Sequence, residues 1–174
     1  MKSYLKQDKK AKSIAFFFRK EAEVFNKKHI LFLEKYYKKN NKDIRICLHT
    51  NQKDKHHDMI ILQQKKNFYP PHKHLKKGET YHIIKGSMAC VLFSNFGKIL
   101  KICELKKNDI FRTPINKFHT MFPLTKFVIY HESKTGPFLK KKDSIFSKWS
   151  KKLTKDKTHI NDFKKKVIKF LKNE

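Results

Sequence analysis

The sequence predicts a mainly β protein, a β-sandwich or jelly-roll barrel with a helical extension before it and a helix after it. Between about residues 44 and 134, eight short runs rich in β-branched and aromatic residues follow one another, separated by turn signals and without helical spacing between them. On either side of this region, apolar residues recur at helical spacing. The length of 174 residues suits one domain with appendages better than two full domains.

The segment before the strands, residues 10–40, predicts one or two amphipathic helices because lysines fill the positions between its apolar clusters. Those clusters are Phe17, Phe18, Val24, Phe25, Ile30, Leu31 and Leu33. The run "AFFF" is too apolar for a free helix in water, so we expect it to pack on an outer face of the barrel, within the chain or across the two-fold axis of a homodimer. Binding of this helix to an anionic membrane surface is the alternative.

The strands are predicted over "DIRICLH", "DMIILQQ", "ETYHIIKG", "SMACVLFS", "KILKICEL", "DIFRTP", "KFHTMFP" and "KFVIYHES", with "SNFGK" as a hairpin turn. After them, Trp149 is expected to pack the trailing segment onto the barrel. The tail "THINDFKKKVIKFLKNE" has a helical apolar stripe made of Ile160, Phe163, Val167, Ile168 and Leu171. We therefore divide the chain into a helical N-terminal extension (1–43), a barrel (44–152) and a helical C-terminal tail (153–174).

The formal charge of +28 raises the question of a nucleic-acid partner. Only Arg19, Arg45 and Arg112 are arginines, and the lysines are spread along the whole chain. Base recognition and bidentate phosphate binding depend on the rigid fork of arginine. We interpret the lysine excess as a general compositional bias and expect no specific nucleic-acid partner.

The cysteines and the apolar runs bear on the compartment. Cys47, Cys90 and Cys103 are too few and too widely spaced for a disulfide framework, and each lies in a predicted strand. "SIAFFF" is shorter than the apolar core of a secretory signal, and no run has the length of a membrane span. We expect a cytoplasmic protein without integral membrane association.

The stretch "PPHKHLKKGETYHIIKG" combines histidines with a carboxylate. In an extended segment His72 and His74 point to the same side, and Glu79 opens the next strand. His82 lies on the opposite face of that strand, so we exclude it as a ligand. "RTPINKFHT" offers His119 as a third imidazole. Three imidazoles and a carboxylate suit Fe(II), Mn(II), Ni(II) or Zn(II), so the sequence predicts a divalent transition-metal site.

This pattern resembles the first cupin motif in its spacing. One residue separates His72 from His74, four residues separate His74 from Glu79, and six residues separate Glu79 from Gly86. "PINKFH" resembles the second motif, P-x-G-x-x-H, with Asn116 in place of glycine; asparagine tolerates the left-handed backbone conformation that glycine provides. "RICLHTNQKDKHHDM", "HESKTGPF" and "DSIFSKWSKK" are similar to framing segments of one branch, the WbuC family of cupin-fold metalloproteins. The resemblance covers about residues 44–152.

The resemblance implies a cupin-type double-stranded β-helix with a metal in the mouth of the barrel. It also implies an association with O-antigen or other surface-polysaccharide gene clusters. It implies no particular reaction, because this branch has no settled chemistry.

Four further residues are candidates for a pocket beside the metal. Arg45 and His49 share one face of "DIRICLH", either in the pocket, where a guanidinium could bind a carboxylate or phosphate, or on the outside of the barrel. Tyr81 shares the face of Glu79 and is either a pocket hydroxyl for a substrate or a core aromatic. Glu132 and His131 face opposite sides, so at most one lines the cavity. Glu132 is either a catalytic general base there or a surface carboxylate paired with a lysine.

The other histidines have no such constellation, and we expect solvated side chains at His29, His56, His57 and His159. Two functions are favoured over a third, nucleic-acid binding through the lysines. The first is a metal-dependent enzyme for a sugar or sugar nucleotide, an isomerase or epimerase or an Fe(II) oxygenase. The second is a non-catalytic, metal-containing sugar-binding or regulatory module, since fold does not decide function.

Overall fold

The computed structural model describes residues 4–9, 11, 13–21, 23–139 and 142–173. Its ten strands, in chain order, are β1 (Leu5–Gln7), β2 (Ile14–Phe18), β3 (Ile44–Cys47), β4 (His56–Gln64), β5 (Glu79–Lys85), β6 (Met88–Phe93), β7 (Ile99–Leu105), β8 (Ile110–Thr113), β9 (Phe118–Pro123) and β10 (Phe127–Thr135). Its three helices are α1 (Lys27–Asn40), α2 (Lys148–Leu153) and α3 (Lys157–Asn173).

The strands form two sheets, which confirms the predicted jelly-roll fold. One sheet has the order β1-β2-β3-β4-β10-β5-β8, and the other has the order β7-β6-β9. The eight strands predicted from the sequence correspond to β3 to β10. The hairpin turn "SNFGK" joins β6 to β7, and Gly97 adopts a positive φ of 86° there, which favours glycine.

The first part of the N-terminal segment is a strand, so the helix expected over "AFFF" is wrong. β2 pairs in parallel with β3, Phe16 beside Ile46 and Phe17 beside Cys47. Alternate side chains then reach opposite faces: Phe16 and Phe18 pack under α1, whereas Phe17 packs with Cys47. Pairing to a distant strand outweighs the local apolar pattern here. This pairing crosses the division proposed at residue 43, which stays a prediction.

Helix α1 lies on the outer face of the large sheet. Leu33 is fully buried there against Ile44, Ile60 and Leu62, so this segment packs within its own chain. At the start of α1, the imidazole of His29 accepts a hydrogen bond from the Asn26 amide and stacks on a phenylalanine. His29 is buried, so the expectation that it is solvated was wrong.

The apolar part of the barrel interior lies between the two sheets, where it includes Tyr81, Ile83, Cys90, Leu92, Met121 and Tyr130. Helix α3 covers the outer face of the small sheet, with Phe163 and Val167 packed on it. Trp149 packs against Phe93, as expected for a residue that fixes the trailing segment. Within the described residues, no helix has the length and apolar composition needed to cross a membrane.

Candidate metal centre

The four side chains predicted as metal ligands come together at one end of the barrel. One nitrogen each from His72, His74 and His119 and one oxygen from Glu79 all lie within 4.8 Å of one another. Three of the four residues are buried, and His72 is partly exposed. We call this group the inner cluster.

Backbone pairing fixes two of the imidazoles side by side. The segment that carries His72 pairs with β9, because the His72 and His119 backbones exchange hydrogen bonds of 3.0 and 2.9 Å. Their rings lie 4.7 Å apart, centroid to centroid. The histidine of the first motif therefore meets that of the second through a two-residue antiparallel bridge.

The turn of the second motif positions the next imidazole. Asn116 has a φ of 58°, the left-handed conformation expected where glycine is usual. In this conformation its amide donates a 2.8 Å hydrogen bond to the His74 carbonyl. On the other side, Lys73 exchanges backbone hydrogen bonds with Ile145. The extended "HKH" segment is thus held from both sides.

All three imidazoles have the same ring nitrogen occupied. Nδ1 of His72 lies 3.0 Å from the Pro70 carbonyl oxygen, and Nδ1 of His119 lies 3.0 Å from that of Lys117. Nδ1 of His74 contacts the carbonyl oxygen of Asp143. Burial lowers the pKa of His74, but Glu79 outweighs burial and raises it, so a metal ion bound here would displace a proton from that ring. A carbonyl oxygen only accepts, so each Nδ1 carries a proton and each Nε2 faces the centre of the inner cluster. This arrangement is typical of metal-binding histidines.

The carboxylate of Glu79 is held by several donors. Tyr81 donates its hydroxyl proton to Oε2 over 2.6 Å, and Lys134 donates to Oε1 over 3.0 Å. Burial raises the pKa of Glu79, but Lys134, His119 and His74 outweigh burial and hold this pKa well below its ordinary value. Glu79 is therefore ionised, the state in which a carboxylate binds a metal.

The separations in the inner cluster fit a transition metal. Nε2 of His74 and Nε2 of His119 each lie 3.0 Å from an oxygen of Glu79. Two ligands at right angles on an ion with bonds of about 2.1 Å are about 3.0 Å apart. Nε2 of His74 is buried, and its contact with Glu79 has the distance but not the alignment of a hydrogen bond. Burial and His119 lower the pKa of His72 to about 4, which keeps that imidazole neutral. The inner cluster could therefore hold a divalent transition-metal ion.

A lysine adjoins the inner cluster that sequence reasoning missed. Nζ of Lys134 lies 3.0 Å from Oε1 of Glu79 and 3.0 Å from Oε1 of Glu132. Burial lowers the pKa of Lys134, but the two carboxylates outweigh burial and raise it above its ordinary value. Strand alternation gave a signal, because Lys134 follows Glu132 by two residues on the face that lines the barrel.

A buried ion pair supports His74 from behind. Nζ of Lys77 lies 2.6 Å from Oδ1 of Asp143 and also donates to the Pro137 carbonyl over 2.6 Å. Because the Asp143 carbonyl accepts the Nδ1 proton of His74, this pair fixes the orientation of the imidazole. The sequence gave no periodic signal for Asp143, which lies outside the helices and strands.

The other predicted pocket residues lie in different surroundings. Arg45 donates to the Ser13 hydroxyl over 2.7 Å, and His49 stacks on His57 at 4.1 Å between ring centroids. His57 is buried, so the expectation that it is solvated was wrong; it pairs across the sheet with Lys134. Roles for Arg45 and His49 in substrate binding stay predictions.

The remaining assignments divide by face. Glu132 lies inside the barrel and binds Lys134, whereas His131 lies on the outer face and contacts Asp58. Tyr81 is buried and its hydroxyl holds Glu79, so it is both a core aromatic and a polar partner of the inner cluster. His82 pairs with His131 on the outer face, as strand alternation predicted.

Comparison with known proteins gives a family match for part of the chain. A family model described as a domain of unknown function (DUF6016) matches residues 38–105, less than half of the chain. The match contains the first motif and ends before the second. A search of curated proteins finds no match.

Several solved structures are similar in fold. Oxalate decarboxylase from Bacillus subtilis is 14% identical with a TM-score of 0.46, and the match covers 53% of this chain and 24% of that one. A formate complex of Lactobacillus farciminis oxalate decarboxylase is 18% identical with a TM-score of 0.46, covering 62% and 30%. KdgF from Halomonas sp. is 13% identical with a TM-score of 0.46, covering 56% and 82%. The chain thus spans about a quarter of the Bacillus enzyme.

The arrangement of strands and motifs makes this a cupin-type fold. Both motif segments lie at one end of the barrel, joined by the bridge between His72 and His119. The imidazoles and Glu79 converge there into a possible metal site.

Proposed function

We propose that this chain is a metal-dependent cupin enzyme that acts on a sugar or sugar nucleotide in surface-polysaccharide (O-antigen or lipopolysaccharide) biosynthesis. One observation carries the proposal of catalysis: buried Lys134 contacts both Glu132 and the carboxylate of Glu79, which we propose as a metal ligand. A metal that served structure alone would not require a proton-carrying pair at this position. The class of substrate rests on the resemblance to the WbuC family.

His72, His74, Glu79 and His119 would hold the ion, which would be Fe, Mn, Ni or Zn. Bound there, such an ion supplies Lewis acidity toward a carbonyl or hydroxyl oxygen, or oxygen chemistry in the case of Fe(II). Nδ1–H hydrogen bonds to backbone carbonyls keep the imidazoles in position. Tyr81 does the same for Glu79 through its hydroxyl.

Glu132 is the candidate base for isomerisation or epimerisation. It would accept a proton from a carbon or hydroxyl of the substrate and return the proton to a neighbouring atom. Lys134 compensates the negative charge of Glu132 and Glu79 together, because its ammonium lies 3.0 Å from an oxygen of each. A substrate would approach past His72, the partly exposed member of the inner cluster.

A non-catalytic module that binds sugar through a bound metal is the second candidate. Burial favours it, because His74, Glu79 and His119 are each only 2% exposed. A closed metal site is typical of ions that stabilise a fold.

The test is a panel of nucleotide-linked sugars incubated in D2O with the full chain, loaded in turn with Mn(II), Zn(II), Ni(II) and Fe(II). Proton NMR would follow exchange of sugar protons for deuterium and the formation of new isomers, and oxygen uptake would be measured in the Fe(II) sample. We expect conversion of at least one sugar, slowed on the order of 100-fold or more by Glu132→Gln. The partly exposed carboxylate of Glu104 on β7, which pairs with Lys106 away from the inner cluster, gives the control, Glu104→Gln, which should keep full activity.

A sugar that raises the melting temperature only of metal-loaded protein, without exchange, conversion or oxygen uptake, would support the non-catalytic module. Absence of both binding and conversion across the panel would contradict a role with sugars. Equal activity of the Glu132→Gln variant and the wild type would contradict the base assigned here.

A further inference from the structure

The outer face of the large sheet carries a second group of metal-ligand side chains. His56 and Asp58 on β4, His131 on β10 and His82 on β5 lie on the face opposite the inner cluster; we call them the outer cluster. Strand alternation separates the two groups, because His57 and Glu132 point inward from the same two strands. The proposed function uses none of the outer residues.

The aspartate connects two of the imidazoles. Nε2 of His131 lies 2.8 Å from Oδ1 of Asp58, and Nε2 of His56 lies 3.2 Å from Oδ2. These separations bracket the 3.0 Å measured between nitrogen and carboxylate in the inner cluster. A carboxylate with two imidazoles is a donor set that zinc takes readily, with water completing its shell.

A third imidazole is next to this group. His82 and His131 are directly opposite each other in the register of β5 and β10. Opposed residues in an antiparallel pair have Cβ atoms about 4.5–5.5 Å apart on one face. The outer cluster therefore brings three imidazoles and one carboxylate together from three neighbouring strands.

We propose that the outer cluster is a second, solvent-accessible site for a divalent transition ion such as Zn²⁺. Its ligands are His56, Asp58 and His131. His82 lies next to His131 and is not one of the three. The imidazoles contact different oxygens of Asp58, so binding draws His56 toward His131. The His56 side chain is 66% exposed, and this movement would release the 3.1 Å contact of its Nε2 with the Ser133 hydroxyl. The bound ion connects β4 to β10, which are distant in sequence. This proposal does not rest on the proposed function.

The competing explanation is that the imidazoles only form hydrogen bonds with Asp58. The chain contains an example of such a pair on α3, where Nδ1 of His159 lies 2.9 Å from Oδ2 of Asp156. That imidazole is exposed, as His56 is. His159→Ala is therefore the matched control for the variants of the outer cluster.

The test is isothermal titration of Zn²⁺ into the full chain after treatment with a chelator. We expect two equivalents of zinc for the wild type and for His159→Ala. His131→Ala and Asp58→Asn, which preserves the shape of the side chain, should each lose one equivalent. His74→Ala disables the inner cluster and should bind one equivalent of zinc, at the outer cluster. A double variant, His74→Ala with His131→Ala, should bind none.

Two outcomes would overturn the outer site. In the first, His131→Ala and Asp58→Asn both bind as many equivalents of zinc as the wild type. In the second, His159→Ala loses as many equivalents of zinc as those two variants do. Failure of the inner cluster looks different. The wild type would then bind one equivalent that His74→Ala keeps and His131→Ala abolishes. That result supports the outer site while contradicting the metal centre of the proposed function.

Discussion

The two faces of the same three strands, β4, β10 and β5, use similar residues in different ways. On the inner face, the His57 imidazole and the carboxylates of Glu79 and Glu132 are buried, and each carboxylate is held by a named partner, as Glu79 is by Tyr81 and Lys134. On the outer face, His56 is exposed, Asp58 is partly exposed, and the two side chains contact each other. The residue types are nearly the same. Burial decides which group has fixed geometry and which is free to rearrange.

The two faces also differ in how far the free energy of unfolding falls when one charged side chain is removed. Removing one member of a buried charge network leaves the others without compensation in a medium of low dielectric constant. Water replaces a lost partner at the surface. Glu79, Lys134 and Glu132 form the buried network, and the cost of breaking it is the most direct energetic measure of the contrast.

The largest effect is expected from Lys134→Ala in the metal-free protein. Two buried carboxylates then lose their common cation, so the free energy of unfolding should fall by about 3–5 kcal/mol. Urea denaturation in the presence of a chelator measures this change. Lys106, which pairs with Glu104 at the surface over 3.6 Å, gives the control Lys106→Ala, expected to change stability by less than about 0.5 kcal/mol. Equal effects of both variants would contradict the difference between buried and exposed charges.

The outer face of the large sheet has a covered part and an uncovered part. Helix α1 packs over one end, and the outer cluster lies at the other. Leu33 on α1 is fully buried against the sheet, whereas Leu31 on the same helix is 53% exposed. Leu33→Ala should lower the free energy of unfolding by about 2–5 kcal/mol, and Leu31→Ala by about 0.5 kcal/mol or less. Thermal and urea unfolding would check both. If Leu33→Ala is as mild as Leu31→Ala, α1 does not pack as described.

A smaller effect concerns pH and the stacked pair of His49 and His57. Burial, with His57 beside it, lowers the pKa of His49 to about 4. An unfolded histidine titrates near 6.5, so this stabilisation is complete above about pH 6.5 and is lost as the pH falls toward 4. We expect a loss of about 1–2 kcal/mol after allowing for solvent screening.

The variant His49→Phe checks this expectation, because phenylalanine keeps a ring against His57 but does not titrate. The difference in unfolding free energy between wild type and variant, followed from pH 7 to pH 4, should shift in favour of the variant. A difference independent of pH would contradict a buried neutral His49.

Local sequence pattern predicted the barrel well because its strands alternate and are separated by clear turns. It failed at β2, since "AFFF" has no alternation of polar and apolar residues and its partner strand lies 30 residues further along. The spacing of the two motifs allowed the residues of the inner cluster to be selected from the sequence. The left-handed backbone conformation expected at Asn116 is confirmed.

Lys134 was missed because a chain so rich in lysine gives no reason to select one of them. His29 and His57 were misjudged because burial depends on what packs over a strand or helix from elsewhere. Asp143 acts mainly through its backbone carbonyl, which no sequence pattern reveals. The residues that surround the inner cluster thus required the fold, whereas the four side chains of the cluster itself could be selected from motif spacing.

The central claim is that the inner cluster holds one divalent transition ion. The most direct measurement is elemental analysis of the full chain purified without a chelating tag and passed through a desalting column with a mild chelator that strips accessible ions. We predict close to one equivalent of a transition metal in the wild type and in His82→Ala, and loss of that equivalent in His74→Ala and His72→Ala. A full equivalent in the His74→Ala variant, or loss of the metal in His82→Ala, would contradict the claim.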